Sequence, residues 1–395
     1  MSQTDAPCRR IGALLLTGLA CTLTCLGPGS QAADWSLSPS LEMAGEYNSD
    51  VLLSSERTFQ DFLFRGKPAL QVLGMTQQTR FLFDTVVIGE KYLEESGFDK
   101  VDTNTRASLS HQWTPSLSTD LSTTFVKDAT LETELEAAGL QTNRSDRFRY
   151  GLDLSNSFSL SETASLGLSG SAEKSDYPDG QYPEDLSWEA GLNPSWMFSP
   201  TNTLGLNASH SFSDYEDSST VRRVSTVLYW LHDWSEKGRF TLGGGYFYTW
   251  TEIKDPDLKT TDGGFLFNLE LNRAWTESFS TVLSAGREEY DTVNAQSVTR
   301  TYARTTLSYA FSPVLSSSCA IGYDFNTQSG ASGEDTHYFR VAPSVRWRLA
   351  ENVSLSLAGA YENWRPESGG EDRTNDRYRT WFALLWEWPR LLASN

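Results

Sequence analysis

The chain has 395 residues and a formal net charge of −19. This acidic balance disfavours nucleic acid as a partner, because proteins that bind phosphate backbones carry an excess of lysine and arginine. Three of the four cysteines lie within the first 25 residues, and Cys319 is the fourth. A single cysteine in the remainder excludes an intrachain disulfide framework and a cysteine-based metal site there.

Residues 1–32 have the pattern of a cleavable secretory signal peptide. Arg9 and Arg10 precede an apolar run at 11–26, and Ser30 and Ala32 supply the small residues that a signal peptidase reads. The apolar run is too short to span a membrane comfortably as a helix. We therefore predict export of the chain, with residues 33–395 forming a single domain.

After this segment the chain repeats a hairpin at a spacing of roughly 36 to 48 residues, which is typical of repeated strand pairs. Each repeat has a short turn rich in Pro, Ser and Glu that follows an aromatic or bulky apolar residue. These turns follow Trp113, Phe158, Phe198, Trp234, Trp275, Phe311 and Leu349. Longer polar connections, as at 174–185, 252–262 and 365–376, separate the repeats. Short periplasmic turns alternating with long outer loops are typical of bacterial outer-membrane barrels.

Within each half-repeat, apolar and polar residues alternate, as at 339–349 and 353–361. A period of two predicts strands with one face toward lipid and the other toward an aqueous interior. From Trp35 to a last strand at 377–388 we count about 18 strands, within a range of about 16 to 18, and an even number suits a bacterial barrel. The predicted fold is all-β: a closed transmembrane antiparallel β-barrel. A soluble β-sandwich or a solenoid is the alternative, but no linker divides the chain as a sandwich of this length requires.

Aromatic residues predict a girdle at each membrane interface. One group directly precedes the short turns, as Trp113, Trp275 and Trp347 do. The second group lies near the long loops and comprises Phe125, Tyr177, Tyr215, Tyr248, Tyr290, Tyr323 and Tyr361.

The long extracellular loops are predicted to be acidic, and one of them contains a helix-like patch at 130–140. Clusters of carboxylates lie at 90–102, 128–136, 173–189, 214–217, 288–291 and 371–376. Such clusters are either plain solvated surface or a means of binding divalent cations that bridge to lipopolysaccharide phosphates. The sequence lacks an Asp-x-Asp-x-Asp-Gly loop, so it does not predict a defined calcium site.

Arginine occurs at the start of most strands that follow a long loop, whereas strands after a short turn carry small inward residues, mainly serine. Side-chain parity places most of these arginines in the lumen, as a basic belt near the outer mouth. Because a guanidinium group can bind both oxygens of a carboxylate or phosphate, such a belt can select anions. The predicted pore-lining, anion-binding residues are Arg106, Arg147, Arg149, Arg300, Arg304, Arg340, Arg346, Arg348, Arg377 and Arg379.

A structural role for the same arginines remains open. They can pair with the lumenal carboxylates and brace the wall, and a partly paired belt can still attract anions. The candidate acidic partners are Asp84, Asp153, Glu270, Glu288 and Glu362.

Catalytic signatures are absent from the sequence. It has four histidines but no His-Glu-x-x-His, Gly-x-Ser-x-Gly or P-loop motif. We predict no catalytic residue, no bound metal and no cofactor.

The turns and the arginine-led strands together resemble one loose group of proteins. Aromatic-Ser-Pro and aromatic-Thr-Glu turns, Ser-rich hairpins, and the strand starts at 146–150 and 376–380 are similar to porin-type outer-membrane barrels associated with exopolysaccharide production and PEP-CTERM protein-sorting systems. The chain departs from the usual barrel ending, because Trp388 is followed by Pro389 and six more residues. This departure leaves the end of the last strand undefined.

The resemblance implies an outer-membrane channel that passes an anionic exopolysaccharide from the periplasm to the surface. The partners it implies are outer-membrane lipid and lipopolysaccharide, a polysaccharide or small anionic solutes, and periplasmic export proteins. A general or anion-preferring diffusion porin is one alternative. A non-conducting surface barrel, acting as an adhesin or structural anchor, is the other.

Overall fold

The strands of this protein form one closed cylinder. The computed structural model describes residues 33–53, 59–130, 144–254, 258–292, 297–328, 335–367 and 374–394. Each strand pairs antiparallel with its neighbour in sequence, and β1 pairs with both β2 and the final strands, which closes the sheet. The closed antiparallel barrel predicted from the sequence is therefore confirmed. Within the described ranges, no helix is long and apolar enough to cross a membrane.

The strands are mostly 13 to 17 residues long. Their bounds are β1 Asp34–Asn48, β2 Asp61–Met75, β3 Thr79–Tyr92, β4 Lys100–Thr114, β5 Leu117–Ala129, β6 Asp146–Ser159, β7 Ala164–Asp176, β8 Asp185–Ser199, β9 Asn202–Tyr215, β10 Ser219–Ser235, β11 Gly238–Ile253, β12 Leu258–Ala274, β13 Phe279–Asp291, β14 Ser297–Ser312, β15 Leu315–Gln328, β16 Asp335–Ala350, β17 Val353–Glu367, β18 Asn375–Glu387 and β19 Leu391–Ser394. A 3₁₀ turn occupies Ser96–Phe98.

The last two strands act as one wall strand with a bulge. β18 pairs with β1 down to Ser40↔Glu387, and β19 resumes the pairing at Leu37↔Leu391. One extra residue is therefore accommodated on the C-terminal side, where Pro389 cannot donate a ladder hydrogen bond. The wall has 18 strands, and the predicted last strand at 377–388 begins earlier and is interrupted after Glu387.

Hydroxyl side chains close the short turns. The backbone N–H of Thr79 donates to Oγ1 of Thr76 at 2.9 Å, and that of Phe279 donates to Oγ1 of Thr276 at 3.0 Å. Serine and threonine at such positions stabilise a turn by bonding the backbone locally. In the turn after Trp113, the indole N–H also donates to Thr119 Oγ1 at 2.9 Å. These contacts explain why aromatic-Ser and aromatic-Thr pairs mark the turns.

The opposite end carries the longer connections, but not all of them are long. Residues 216–218 join β9 to β10, and 254–257 join β11 to β12. Several residues of the predicted acidic loops also belong to strands, including Glu90 in β3, Asp128 in β5 and Glu289 in β13. The predicted helix-like patch at 130–140 falls outside the described residues, except for Thr130. Acidic side chains at this end are therefore partly wall residues.

The two faces of the wall differ as the alternation predicts. Trp113, Trp275 and Trp347 lie on the outer face near the short turns and are 50% or more exposed. Near the long loops, Tyr248 and Tyr323 are exposed on the outer face. The prediction was wrong for Tyr177 and Tyr215, which are buried, and for Tyr290, which lies on the lumenal side opposite the fully buried Val298. The alternation of side chains between the two faces continues to the strand ends, and it places these three rings on the lumenal face.

The connection between β1 and β2 covers part of the mouth at the long-loop end. Leu53 is fully buried against Tyr338 and Trp364, and Nδ2 of Asn375 donates to its carbonyl oxygen at 3.3 Å. Burial raises the pKa of Asp50 in the same connection, although nearby backbone N–H groups oppose that rise. The described part of this connection therefore narrows the bore from one side.

Candidate functional site

A belt of ion pairs lines the lumen near the long-loop end, and Glu362 of β17 is its most buried member. Its carboxylate accepts from Arg377, from Nη2 of Arg379 at 2.7 Å and from the Tyr338 hydroxyl at 3.1 Å. Arg340 Nε lies 3.5 Å from the same carboxylate. Glu362 has no exposed surface and Arg377 is 4% exposed, so the pairing compensates charges that water does not reach.

The belt crosses the closing seam of the barrel. Arg379 Nη1 lies 3.9 Å from Glu46 on β1, and Glu46 lies 3.2 Å from Arg65 on β2. Arg65 in turn binds Glu90 on β3 at 2.6 Å, and Lys100 on β4 lies 3.4 Å from Glu90. Cations and carboxylates thus alternate across successive strands.

Asp128 on β5 continues the belt to β6. Its two oxygens accept from Nε and Nη2 of Arg147, each at 3.0 Å, and Nη2 of Arg149 lies 2.9 Å away. A bidentate pair of this kind fixes both side chains more firmly than a single contact does.

A second arc of the belt lies on β13 to β15. Nη2 of Arg304 donates to Asp324 at 2.6 Å, and Nε of Arg300 donates to Glu288 at 2.9 Å. Arg300 Nε also lies 4.0 Å from Asp324. The arginines of this arc are therefore compensated by wall carboxylates.

The ten predicted arginines divide into two sets. The structure brings seven of them into the belt with carboxylates: Arg147, Arg149, Arg300, Arg304, Arg340, Arg377 and Arg379. For Arg106, Arg346 and Arg348 the described part of the chain offers no ion pair, and all three are exposed to the bore. These three guanidinium groups, which have no ion pair in the described ranges, therefore lie outside the belt.

Arg346 lines a recess of about 570 Å³ in the lumenal wall near the short-turn end. Trp381 and Glu42 lie in the same recess. Hydroxyl groups dominate the rest of its wall: Ser280, Ser308, Ser316, Ser318, Ser344 and Ser356. Arg348 shares the lumenal face with Arg346, because it is two residues further along β16.

A second recess of about 500 Å³ lies on β4 to β8. Asp120, Asp153 and Glu189 line it together with Arg106. In a ring of 18 strands, β6 lies eight strands from β16, which is almost diametrically opposite. Both recesses therefore carry charges of both signs: one holds Arg346 beside Glu42 and Glu277, and the opposite one holds Arg106 among three carboxylates.

Glu46 and Asp324 of the belt were missed by sequence reasoning, Glu90 was assigned to an acidic outer loop, and Arg65 was not among the ten predicted anion-binding residues. Their parity was readable, since each alternates with outward apolar residues. Their partners were not, because an ion pair between neighbouring strands depends on the register. Of the predicted acidic partners, Glu288 and Glu362 pair with arginine, whereas Asp84 accepts from Gln71 Nε2 at 2.9 Å.

No group of three or more His, Cys, Asp or Glu side chains in the described ranges is placed to hold a metal ion. His337 Nδ1 lies 2.6 Å from the Tyr323 hydroxyl, and its Nε2 donates to the Glu367 carboxylate at 2.8 Å. This cluster faces the exterior of the barrel, since its neighbours Tyr338 and Arg340 face the lumen.

The fold and the lumen define a class: a closed 18-stranded β-barrel with an apolar exterior and a polar, charged interior. No protein-family model and no curated protein matches the sequence. Among solved structures, the chain is similar to the outer membrane protein opdK of Pseudomonas aeruginosa, with 9% identity, coverage of 89% of this chain and 99% of that chain, and a TM-score of 0.46. It is also similar to OccK8 (OprE) of P. aeruginosa, with 10% identity, coverage of 90% and 98%, and a TM-score of 0.48. For OccAB4 of Acinetobacter baumannii the identity is 11%, the coverage 92% and 99%, and the TM-score 0.46. At these identities the likeness concerns the fold.

Proposed function

We propose that this protein is an outer-membrane channel for hydrophilic solutes. The observation that carries the proposal is a closed wall of 18 strands whose lumenal face is lined by hydroxyl and charged groups. Barrels of about 16 to 18 strands leave an aqueous channel unless a loop fills them. The exposed apolar outer face requires a lipid surrounding, since a soluble monomer rarely exposes a continuous apolar band.

The cargo we propose is an anionic polysaccharide, and the serine-lined recess supports it. Sugar hydroxyls exchange hydrogen bonds readily with serine side chains, and the ring of Trp381 offers an apolar face to a sugar ring. Arg346 and Arg348 lie on the same wall and can pair reversibly with carboxylate groups of the polymer. The general diffusion porin remains the second candidate, because the same wall also suits small polar solutes.

The ten arginines have two roles in this proposal. The seven belt residues hold the wall at the long-loop end in shape, and their charge is mostly compensated by carboxylates. Arg106, Arg346 and Arg348 supply the free positive charge that a passing anion meets. Lipopolysaccharide and surrounding lipid contact the outer face, while a periplasmic export protein would meet the short-turn end.

Conductance in planar lipid bilayers tests the channel itself. We expect discrete, ohmic opening steps after insertion of the purified protein. A protein that folds and inserts without any such steps would favour the non-conducting surface barrel instead.

We expect the double variant Arg346→Ala/Arg348→Ala to shift the permeability ratio toward cations, by about two- to threefold, because fixed charge along a pore sets the local ion concentration. The reversal potential in a salt gradient measures the ratio. The matched control is Asp233→Asn/Arg239→Gln, which removes one charge of each sign from a pair 2.7 Å apart at the same end of the lumen. An unchanged ratio in the arginine variant would contradict the role of these residues.

Trp381 tests the saccharide assignment. We expect oligouronates added to the bath to block the wild-type current, and Trp381→Ala to weaken this block by about tenfold, as the loss of roughly 1.4 kcal/mol of stacking would. The control is Trp386→Ala on the outer face of the same strand, where the block should stay as in the wild type. Equal block by the two variants would leave the diffusion porin as the better description.

A further inference from the structure

The barrel wall is interrupted between β12 and β13. Their pairing ends at Phe267↔Arg287, whereas the β11–β12 and β13–β14 pairings both continue toward the long-loop end. No ladder pair therefore joins residues 258–266 to residues 288–291 across this seam. Arg287 lies eight residues from the short-turn start of β13, as Tyr323 does in β15. The interruption thus begins at the height of the outer aromatic residues.

The long-loop end of β13 does not lie beside β12. Its side chains contact β10 and β11 instead. Arg223 on β10 binds Asp291 at 2.7 Å and Glu289 at 3.3 Å. The hydroxyl of Thr249 on β11 donates to Glu289 at 3.1 Å. Arg223 and Thr249 both point into the lumen. The end of β13 therefore runs along the lumenal side of β10 and β11. We name these four residues the latch, because they hold together a seam that lacks ladder hydrogen bonds.

Arg287 lies on the outer face at the base of this gap. Its guanidinium carbon is 5.0 Å from the centroid of the Phe265 ring, which is 57% exposed. Its Nε is buried without a hydrogen-bond partner, and no ion pair involves it within the described ranges. A guanidinium group on a lipid-facing wall is costly unless an anion compensates it. At this height the anion at hand is a phosphate of a lipid headgroup, which the planar fork of arginine fits.

The gap also has a consequence for the backbone. Backbone N–H and C=O groups that lack a ladder partner cannot remain in hydrocarbon, so this part of the seam must lie at the level of headgroups or water.

We propose that the seam between β12 and β13 is a lateral port, closed by the latch, through which a lipid with a phosphate headgroup reaches the lumen from the outer leaflet. Arg287 binds the phosphate at the entrance, and Phe265 packs against the start of the acyl chains. Release of Glu289 and Asp291 from Arg223 frees the end of β13 to move away from β11.

The test uses fluorescence quenching by brominated lipids in reconstituted vesicles. In a Cys319→Ser background, a fluorophore on Leu266→Cys reports the lumenal side of the gap. The matched control is Gly322→Cys on the lumenal face of β15, where an added side chain meets only Arg304 Cγ at 3.6 Å and both neighbouring ladders are continuous. We expect brominated phosphatidylglycerol to quench the label at 266 but not the label at 322.

Two further variants separate the parts of the port. Glu289→Gln/Asp291→Asn should increase quenching at position 266, since it removes the charges that hold the latch. Arg287→Gln should lower the preference for brominated phosphatidylglycerol over brominated phosphatidylcholine by about tenfold, as loss of one charge-assisted contact implies. Equal quenching at 266 and 322, both with and without the latch, overturns the port. A headgroup preference unchanged in Arg287→Gln overturns the phosphate site. Bore conductance of the same variants reports the proposed channel separately.

Discussion

Glu362→Gln should destabilise the folded barrel by about 3–5 kcal/mol, the cost of removing one partner from a buried charge cluster. The carboxylate of Glu362 has no exposed surface and compensates Arg377, Arg379 and Arg340. A neutral amide would leave the buried Arg377 and the partly exposed Arg379 and Arg340 with one anion fewer. A buried charge without a partner costs far more free energy than a well-formed ion pair contributes. The loss of stability in Glu362→Gln should therefore exceed the loss caused by breaking a surface ion pair.

Urea unfolding in lipid vesicles, followed by tryptophan fluorescence, measures this change. The control is Glu351→Gln in the exposed turn between β16 and β17, which should alter the free energy of unfolding by less than about 0.5 kcal/mol, as surface substitutions do. A stability of Glu362→Gln equal to that of the control would show that the cluster does not hold the wall.

Gly245→Ala should destabilise the barrel by about 1–3 kcal/mol, the usual cost of forcing extra volume into packed structure. A Cβ at Gly245 on β11 would lie 2.0 Å from the carbonyl oxygen of Thr226 and 2.7 Å from Cα of Val227. Both atoms are backbone of β10, so no side-chain rotation relieves the contact. The strands themselves must separate, which weakens the ladder between β10 and β11.

The neighbouring residue provides the control for this prediction. A Cβ at Gly244 meets no atom within 4 Å, so Gly244→Ala keeps the ladder intact. We expect it to be neutral or to stabilise the fold by up to about 0.5–1 kcal/mol, because alanine loses less backbone entropy than glycine. Heat-induced loss of the compact band in detergent gels ranks both variants. Equal behaviour of the two would contradict the close approach of β10 and β11.

The sequence by itself determined the strands, their two faces and most of the turns. Alternation is a local property, since successive side chains of an extended backbone point to opposite sides. Arg346 and Ser344 could therefore be placed on one face, and Trp347 on the other, before any pairing was known. The turn after Trp113 was equally readable, because its proline and serine act within a few residues of their own backbone.

Only the tertiary structure decided which charges meet. Glu46 and Arg379 are far apart in sequence and become neighbours because β1 closes the ring against β18. The sequence left open whether the arginine belt is free positive charge or is paired with lumenal carboxylates, whereas the pairing register supplies a carboxylate for seven of its ten members. The interruption between β12 and β13 was likewise invisible to periodicity, since both strands alternate normally. Register, closure and strand separation depend on the whole ring of hydrogen bonds, and no local pattern of residues encodes them.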